Sequence, residues 1–266
     1  MALKQNELTE YEQSTMSSVA DSPLQVFELE KRFGDQRVLQ GLTLSLKAGE
    51  ATALLGSNGS GKSTLLRTIP KLISPDAGSV SVLGKDVLSL KSRDLKNLRS
   101  QIGFVFQKHN LVPRLNALTN TLHGALGRTS FGRAWFHSIA PKELREQAYS
   151  CLERVDLAAH AAKQTRHLSG GQSQRVAIAR ALMQQPKIML ADEPVASLDP
   201  EAGEHIMQLL RSLSEHEGIT LLFSTHHLEH ALQYADRIVG LVKGKIVLDK
   251  PSAELDIQSL REFYGE

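Results

Sequence analysis

The chain has 266 residues, of which 41% are hydrophobic, so it is long enough for a large α/β domain with an ordinary buried core. Its formal net charge of +2 is too mild to argue for a nucleic-acid partner on charge alone. Cys151 is the only cysteine, which excludes an intrachain disulfide and suits a reducing compartment.

The first 22 residues are polar and acidic, with Glu7, Glu10 and Glu12, and they lack a basic start followed by an apolar core. We therefore expect a flexible tail over 1–22 rather than a secretory signal, and a folded domain over 23–266. No run of about 18 apolar residues occurs, so the chain is not expected to cross a membrane itself.

Apolar and polar residues alternate in the first third of the chain, which is typical of antiparallel strands. The segments concerned are Leu24–Leu29, Leu42–Leu46 and Ser79–Gly84. Between them lies Ala51–Leu55, whose continuous apolar character indicates a buried parallel strand. The sequence therefore predicts an antiparallel β unit beside a parallel core.

A glycine-rich loop follows the buried run, consisting of Gly56, Ser57, Asn58, Gly59, Ser60, Gly61, Lys62, Ser63 and Thr64. Its glycines would let backbone N–H groups converge on phosphate oxygens without a Cβ in the way. Lys62 would place a positive charge near the β- and γ-phosphates, and the Ser63 hydroxyl would reach Mg²⁺. A helix beginning at about Ser63 would point its positive end at the nucleotide. A plain glycine-rich turn is the alternative, and the preceding strand and following apolar helix argue against it.

The remaining pattern alternates between short apolar strands and helices, which is typical of an α/β core. Ile102–Phe106 indicates a buried strand leading into Gln107, and a helical subdomain is expected over about 108–167. The later predicted elements are a helix at Arg175–Met183, core strands at Lys187–Ala191 and Ile219–Phe223, and a hairpin of Ile238–Val242 with Ile246–Leu248.

Two carboxylates, Asp192 and Glu193, follow the second core strand. Ligands of such sheets bind at the carboxyl ends of the strands. Asp192 is therefore expected to hold Mg²⁺, directly or through water, and Glu193 to orient and polarise the attacking water. The alternative is that both carboxylates simply solvate the end of the strand.

From about Leu24 to Leu255 the chain resembles the ATP-binding subunits of ABC transporters, because several motifs of that family occur in the family's order. Besides the phosphate-binding loop and the Asp192–Glu193 pair, these motifs are Gln107 (Q-loop), Leu168-Ser169-Gly170-Gly171-Gln172 (signature), Ser197-Leu198-Asp199 (D-loop) and Ser224-Thr225-His226 (switch histidine). The resemblance implies a P-loop α/β core, an antiparallel β subdomain and a helical subdomain.

The resemblance also implies roles within an ATP and Mg²⁺ site. Phe33 stands where the family has an aromatic residue stacked on adenine, and a core aromatic is the alternative. Gln107 would reach Mg²⁺ or the water. His226 would hydrogen-bond the γ-phosphate, and a packed core histidine is the alternative.

The family further implies that the signature acts on the other subunit's nucleotide. The backbone N–H groups of Ser169 and Gly171, with Gly170 and Gln172 beside them, would cap the γ-phosphate of the opposite chain. One phosphate-binding loop and one signature per chain then imply a head-to-tail homodimer with Asp199 across its interface. Two transmembrane permease subunits and an external solute-binding protein would complete an importer at the cytoplasmic face of the inner membrane.

The segment after Gln107 is similar to that of phosphonate-import ATPases. The similarity covers 106–115, 118–120, 124–128, Arg133–Phe136 and Ala196–Asp199. Phosphonate is therefore the expected cargo, with phosphite or another small solute as the alternative. A soluble ABC protein would carry a coiled-coil insertion or two cassettes, and a GTPase would carry an Asn-Lys-x-Asp motif; the sequence has none of these features.

Overall fold

The computed structural model describes residues 22–129 and 139–264. The predicted tail therefore lies outside the described residues except for Ser22, and so does the segment Arg133–Phe136. Within the described residues, no helix has the length and apolar character needed to cross a bilayer.

Strands and helices alternate along most of the chain. The strands are β1 (Leu24–Phe33), β2 (Gln36–Leu46), β3 (Ala51–Leu55), β4 (Ala77–Val82), β5 (Lys85–Asp86), β6 (Ile102–Val105), β7 (Ile188–Ala191), β8 (Thr220–Thr225), β9 (Arg237–Val242) and β10 (Lys245–Pro251). The α-helices are α1 (Lys62–Thr68), α2 (Ser92–Arg99), α3 (Ala117–Leu122), α4 (Lys142–Glu153), α5 (Gly170–Leu182), α6 (Pro200–Glu217), α7 (Leu228–Tyr234) and α8 (Ile257–Tyr264).

The antiparallel sheet has the order β2-β1-β4-β5. Strands β1 and β2 are longer than the alternating pattern predicts, because irregularities in register interrupt that pattern. A further irregularity interrupts the pairing of β1 with β4 between Phe27 and Glu30. There Gly78 of β4 has a φ of 87°, and a Cβ on it would lie 2.3 Å from the Glu28 carbonyl oxygen. Only glycine can occupy a position this close to another backbone segment. The glycine in the sequence therefore permits this irregularity of the sheet.

The second sheet has the order β10-β9-β3-β8-β7-β6, and all its pairs except β10–β9 are parallel. The β9–β10 hairpin turns at Lys243 and Gly244, which both have positive φ, as a type I′ turn requires. The predicted hairpin is thus confirmed. Because β3, β6, β7 and β8 run parallel, the residues that follow them meet at one edge of the sheet.

Both faces of the parallel sheet are covered, which explains its continuous apolar runs. Leu54, Leu190 and Leu222 belong to a core shared with α1 and the antiparallel sheet. Their strand neighbours, such as Ala53 and Phe223, belong to the opposite core with α5 and α6. Successive residues of each strand therefore serve different cores, as the pleat of a strand requires.

The helices α3 and α4 lie within the segment predicted to be helical and pack against α5. Asn116 caps α3 by accepting a hydrogen bond from the backbone N–H of Thr119. The helix α5 begins at Gly170, five residues before the predicted start at Arg175. The prediction was wrong here because a Ser169 cap outweighs the low helix propensity of two glycines.

Candidate active site

The loop over 56–64 joins β3 to α1, so it has the strand–loop–helix context that the sequence predicts. Gly61 has a φ of 112°, and a Cβ there would lie 2.9 Å from the Val38 carbonyl oxygen. Only glycine is suited to this position, and it lets α1 begin at Lys62 with no side chain capping its first N–H groups. These groups remain open to an external acceptor.

The Lys62 side chain points into the loop and is 4% exposed. Its ammonium donates hydrogen bonds to the carbonyl oxygens of Gly56 (2.7 Å) and Ser57 (3.1 Å) and lies 3.5 Å from a Glu193 carboxylate oxygen. Burial lowers the pKa of Lys62, and the charges of Glu193 and Asp192 oppose that shift. A buried cation whose hydrogen bonds go to carbonyl oxygens can exchange these bonds for bonds to a charged phosphate.

The loop also contains a polar atom without a partner. The Ser60 hydroxyl is buried and has no hydrogen-bond partner among the residues that the structure describes, although a buried hydroxyl ordinarily has one. A Cβ at Gly56 would lie 2.6 Å from this hydroxyl oxygen and 2.5 Å from the Leu241 carbonyl oxygen. The loop therefore has a buried hydroxyl that can still donate a hydrogen bond and a closely packed backbone. This arrangement suits the binding of phosphate oxygens.

Asp192 follows β7 and is fully buried. One carboxylate oxygen accepts hydrogen bonds from the hydroxyls of Ser63 (2.7 Å) and Ser224 (3.1 Å), and the other faces Arg67 at 3.3 Å. A carboxylate beside a serine hydroxyl is the type of oxygen donor set that Mg²⁺ prefers. The predicted metal residues Asp192 and Ser63 therefore lie together and fit a divalent cation.

The other predicted catalytic residues, Gln107 and His226, lie beside the carboxylate of Glu193. Its carboxylate accepts a hydrogen bond from Gln107 (3.1 Å) and lies 3.5 Å from the Lys62 ammonium and 3.8 Å from Nδ1 of His226. Its backbone N–H donates to the Ser224 hydroxyl at 2.9 Å. Its φ is 46°, a conformation that costs a non-glycine residue about 1–3 kcal/mol and that concentrates at functional sites.

His226 and Phe33 are both surface side chains, so neither alternative interpretation as a core residue holds. The His226 side chain is 41% exposed and follows β8. Phe33 ends β1, is 50% exposed, and has the Lys31 ammonium 5.3 Å from its ring centroid. A half-exposed aromatic face beside a cation is available for stacking.

The signature residues form a capping box at the start of α5. The Ser169 hydroxyl accepts from the Gln172 backbone N–H, and the Ser169 backbone N–H donates to the Gln172 side chain. The Ser169 N–H is thus occupied, which leaves the N–H groups of Gly170 and Gly171 open instead of the predicted pair Ser169 and Gly171. Asp199 similarly caps α6 through the backbone N–H of Ala202.

The structure brings the loop, Gln107, Asp192, Glu193 and His226 together. In the described part of the chain, no hydrogen bond or ion pair links the signature, Phe33 or Asp199 to that cluster.

The sequence analysis did not identify two residues that contact Asp192, namely Ser224 and Arg67. Arg67 stands one helical turn after Ser63, and Ser224 is a buried hydroxyl one strand away from Asp192.

A phosphate-binding loop between a buried parallel strand and a helix, with an acidic pair after a neighbouring strand, defines a P-loop nucleoside triphosphatase. Residues 39–196 match the family model described as ABC transporter, and the chain belongs to this family. The predicted fold class is thereby confirmed.

Relatives match most of the chain. The Phosphonates import ATP-binding protein PhnC 2 of Oceanobacillus iheyensis is 44% identical over 243 residues, covering 91% of this chain and 95% of that protein. The Phosphonates import ATP-binding protein PhnC of Frankia casuarinae is 48% identical over 228 residues, covering 86% and 90%. A dimeric post-hydrolysis ATP-binding cassette, MJ0796, solved with ADP and Pi, is 35% identical with a TM-score of 0.77, covering 86% of this chain and 98% of its own.

Proposed function

We propose that the chain is the ATP-hydrolysing subunit of an ABC importer that takes up phosphonates. The observation that carries the hydrolytic part is the convergence of Lys62, Gln107 and His226 on the Glu193 carboxylate. The cargo rests on the names of the relatives, which are 42–48% identical over most of the chain.

In this proposal, ATP binding changes the hydrogen-bond partners of the side chains around Glu193. Lys62 moves its hydrogen bonds from the carbonyls of Gly56 and Ser57 to the β- and γ-phosphates, because phosphate oxygens are charged acceptors. Gln107 and Lys62 then release Glu193, whose carboxylate orients the attacking water and accepts its proton. His226 donates to the γ-phosphate, and Phe33 stacks on the adenine.

Ser63, Asp192 and Gln107 are the residues that would hold Mg²⁺. When bound, the ion neutralises charge that develops on the phosphate oxygens. Asp192 is fully buried and hydrogen-bonded by two hydroxyls, so its orientation toward Ser63 is set before any ligand arrives. Ser224 holds both Asp192 and the backbone of Glu193, and so fixes the two carboxylates relative to each other.

The catalytic unit in this proposal is a homodimer. The signature makes no recorded hydrogen bond to the phosphate-binding loop of its own chain within the described residues, and its open N–H groups at Gly170 and Gly171 suit a γ-phosphate held by a second copy. A two-fold axis then gives two composite sites, with Asp199 close to the interface. The dimeric structure of the cassette relative supports this arrangement.

Permease subunits and an external solute-binding protein complete the importer, which places the chain at the cytoplasmic face of the inner membrane. A cavity of about 420 Å³ lies between the segment following Gln107 and the start of α5. Arg180 of α5 donates to the carbonyl oxygens of His109 (2.9 Å) and Asn110 (2.6 Å). A permease segment seated here would therefore act on the Gln107 loop and on the signature helix together.

The test of the proposed function is growth on an aminoalkylphosphonate as sole phosphorus source. A strain that lacks this chain should not grow and should not take up the radiolabelled compound. The wild-type chain should restore both, and Glu193→Gln should not. Growth on inorganic phosphate is the control. Unimpaired phosphonate uptake without the chain, or loss of phosphite uptake alone, would overturn the phosphonate assignment.

A further inference from the structure

A row of aromatic rings runs from the active site into the protein, starting at His226. The ring centroids of His226 and His227 are 4.3 Å apart, those of His227 and His230 are 5.0 Å apart, and those of His230 and Tyr234 are 6.0 Å apart. His227 is the N-cap of α7, and the next two rings follow at helical spacings of three and four residues, so they share one face. We call His226, His227, His230 and Tyr234 the histidine ladder.

The far end of the ladder is anchored on α6. Nε2 of His230 lies 3.2 Å from a Glu204 carboxylate oxygen, and the Tyr234 hydroxyl donates to the other oxygen of the same carboxylate. The His230 side chain is 16% exposed, and Tyr234 is buried. One carboxylate therefore fixes two rings that have little room to move.

The near end of the ladder is exposed. Nδ1 of the His226 ring lies 3.8 Å from a Glu193 carboxylate oxygen, which is beyond a hydrogen bond, and the ring contacts that of His227 at an interplanar angle of 34°. Burial lowers the pKa of His227, and the neighbouring histidines lower it further. The His227 ring lies between those of His226 and His230 and is in contact with both, so it connects the exposed end of the ladder to the anchored end.

We propose that Glu204 is a positioning residue for ATP hydrolysis, acting through His230 and His227 to hold the His226 ring against Glu193. This inference rests on the proposed role of His226. The alternative is that the contacts of Glu204 with His230 and Tyr234 only connect α6 to α7. They would then stabilise the fold without affecting the position of His226. The two differ because only the first requires the His226 ring to move when Glu204 is removed.

The experiment compares Glu204→Ala and His230→Ala with His205→Ala, which changes an exposed neighbour on the same helix. In the assembled transporter, Glu204→Ala and His230→Ala should each lower kcat roughly 10- to 100-fold, because displacing a reacting group by about 1 Å has such effects. The KM for ATP should change less than about twofold, since neither residue touches the phosphate-binding loop. His205→Ala should leave both constants unchanged.

A spectroscopic readout separates positioning from stability. Histidine-selective ¹⁵N labelling of the isolated chain gives ring resonances, and the His226 signal is assigned by its loss in His226→Ala. Glu204→Ala and His230→Ala should each shift the His226 ring signal, because the His227 ring would change its position relative to the His226 ring. Tyr234→Phe keeps the His230–Glu204 pair and should leave the signal and kcat in place.

An unchanged His226 signal and an unchanged kcat in Glu204→Ala, with a lower melting temperature, would overturn the proposal. A loss of kcat in Glu204→Ala without a loss in His230→Ala would also overturn it. If His226→Ala itself hydrolyses ATP at the wild-type rate, the proposed role of His226 fails, whatever Glu204 does. The two failures are therefore distinguishable.

Discussion

The Glu193 carboxylate is surrounded by an ammonium, an amide and an imidazole. In the proposed mechanism these are the groups that the γ-phosphate would engage in place of the carboxylate. This arrangement keeps Lys62, a buried cation, close to a negative charge at every stage, which matters because an unpaired buried charge is costly. In the proposed mechanism, the exchange of this carboxylate for the γ-phosphate frees Glu193 to orient the water.

The first prediction concerns Glu193→Gln. The amide keeps the shape of the side chain and loses the basic oxygen, so turnover should fall about 10²- to 10⁴-fold while ATP still binds. Steady-state hydrolysis and equilibrium binding of ATP measure the two effects. Glu229→Gln, on the exposed face of α7, is the control and should change neither. Near-normal hydrolysis by Glu193→Gln in the assembled transporter would remove Glu193 from its proposed role.

The second prediction concerns Ser224→Ala. The substitution removes a donor to Asp192 and leaves the backbone N–H of Glu193 without its acceptor. The free energy of unfolding should fall by about 1–3 kcal/mol, the penalty for an unsatisfied buried group, and hydrolysis should fall with it. Chemical denaturation measures the stability. Ser100→Ala removes an exposed local hydrogen bond and should cost little; an equal loss in both variants would contradict the account.

At the scale of elements, the central parallel strands could be predicted. They are buried on both faces, so their sequences are short, mostly apolar runs. The predicted start of α5 is five residues late, because helix propensity treats Gly170 and Gly171 as breakers. The signal that outweighs them is the capping-box spacing of Ser169 and Gln172, which is present in the sequence. The link between Ser224 and Asp192 also escaped prediction. This link depends on the pairing of β7 with β8, and the order of strands in a sheet cannot be derived from the local sequence pattern.

The third prediction contrasts two buried glycines. A Cβ at Gly124 would lie 2.1 Å from the Arg180 carbonyl oxygen, so Gly124→Ala must separate its segment from α5 and should cost about 1–3 kcal/mol of stability. A Cβ at Gly203 in α6 would lie 3.6 Å from the Val195 Cβ, an ordinary contact. Gly203→Ala should therefore stabilise the protein by about 0.5–1 kcal/mol. Thermal unfolding measures both changes, and a reversal of their order would show that the packing of α5 is described wrongly.

At the scale of the whole molecule, the order of motifs was enough to predict that residues distant in sequence meet at one edge of a sheet. The loop over 56–64, Gln107, Asp192 and His226 each follow a parallel strand, and parallel strands end at the same edge. The position of the signature could not be derived in this way, because Ser169–Gln172 begins a helix in the helical unit and follows no strand of this sheet. In the proposed dimer, a second chain supplies the signature to this site.

The measurement that tests this account most directly is ATP-driven assembly of two complementary variants, both carrying Glu193→Gln so that the nucleotide is retained. Lys62→Ala damages the phosphate-binding loop, and Gly171→Asp places a carboxylate where the γ-phosphate of the other chain would lie. Gly171→Ala is the control for the added Cβ, which would lie 3.1 Å from the Ala202 Cβ.

Sedimentation with ATP should show that neither the Lys62→Ala chain nor the Gly171→Asp chain dimerises alone. An equimolar mixture should dimerise in part, because each mixed dimer keeps one composite site in which both halves are intact. If the mixture stays monomeric, or if Gly171→Asp alone dimerises as fully as Gly171→Ala, the signature does not act on the partner's nucleotide, and the central claim is wrong.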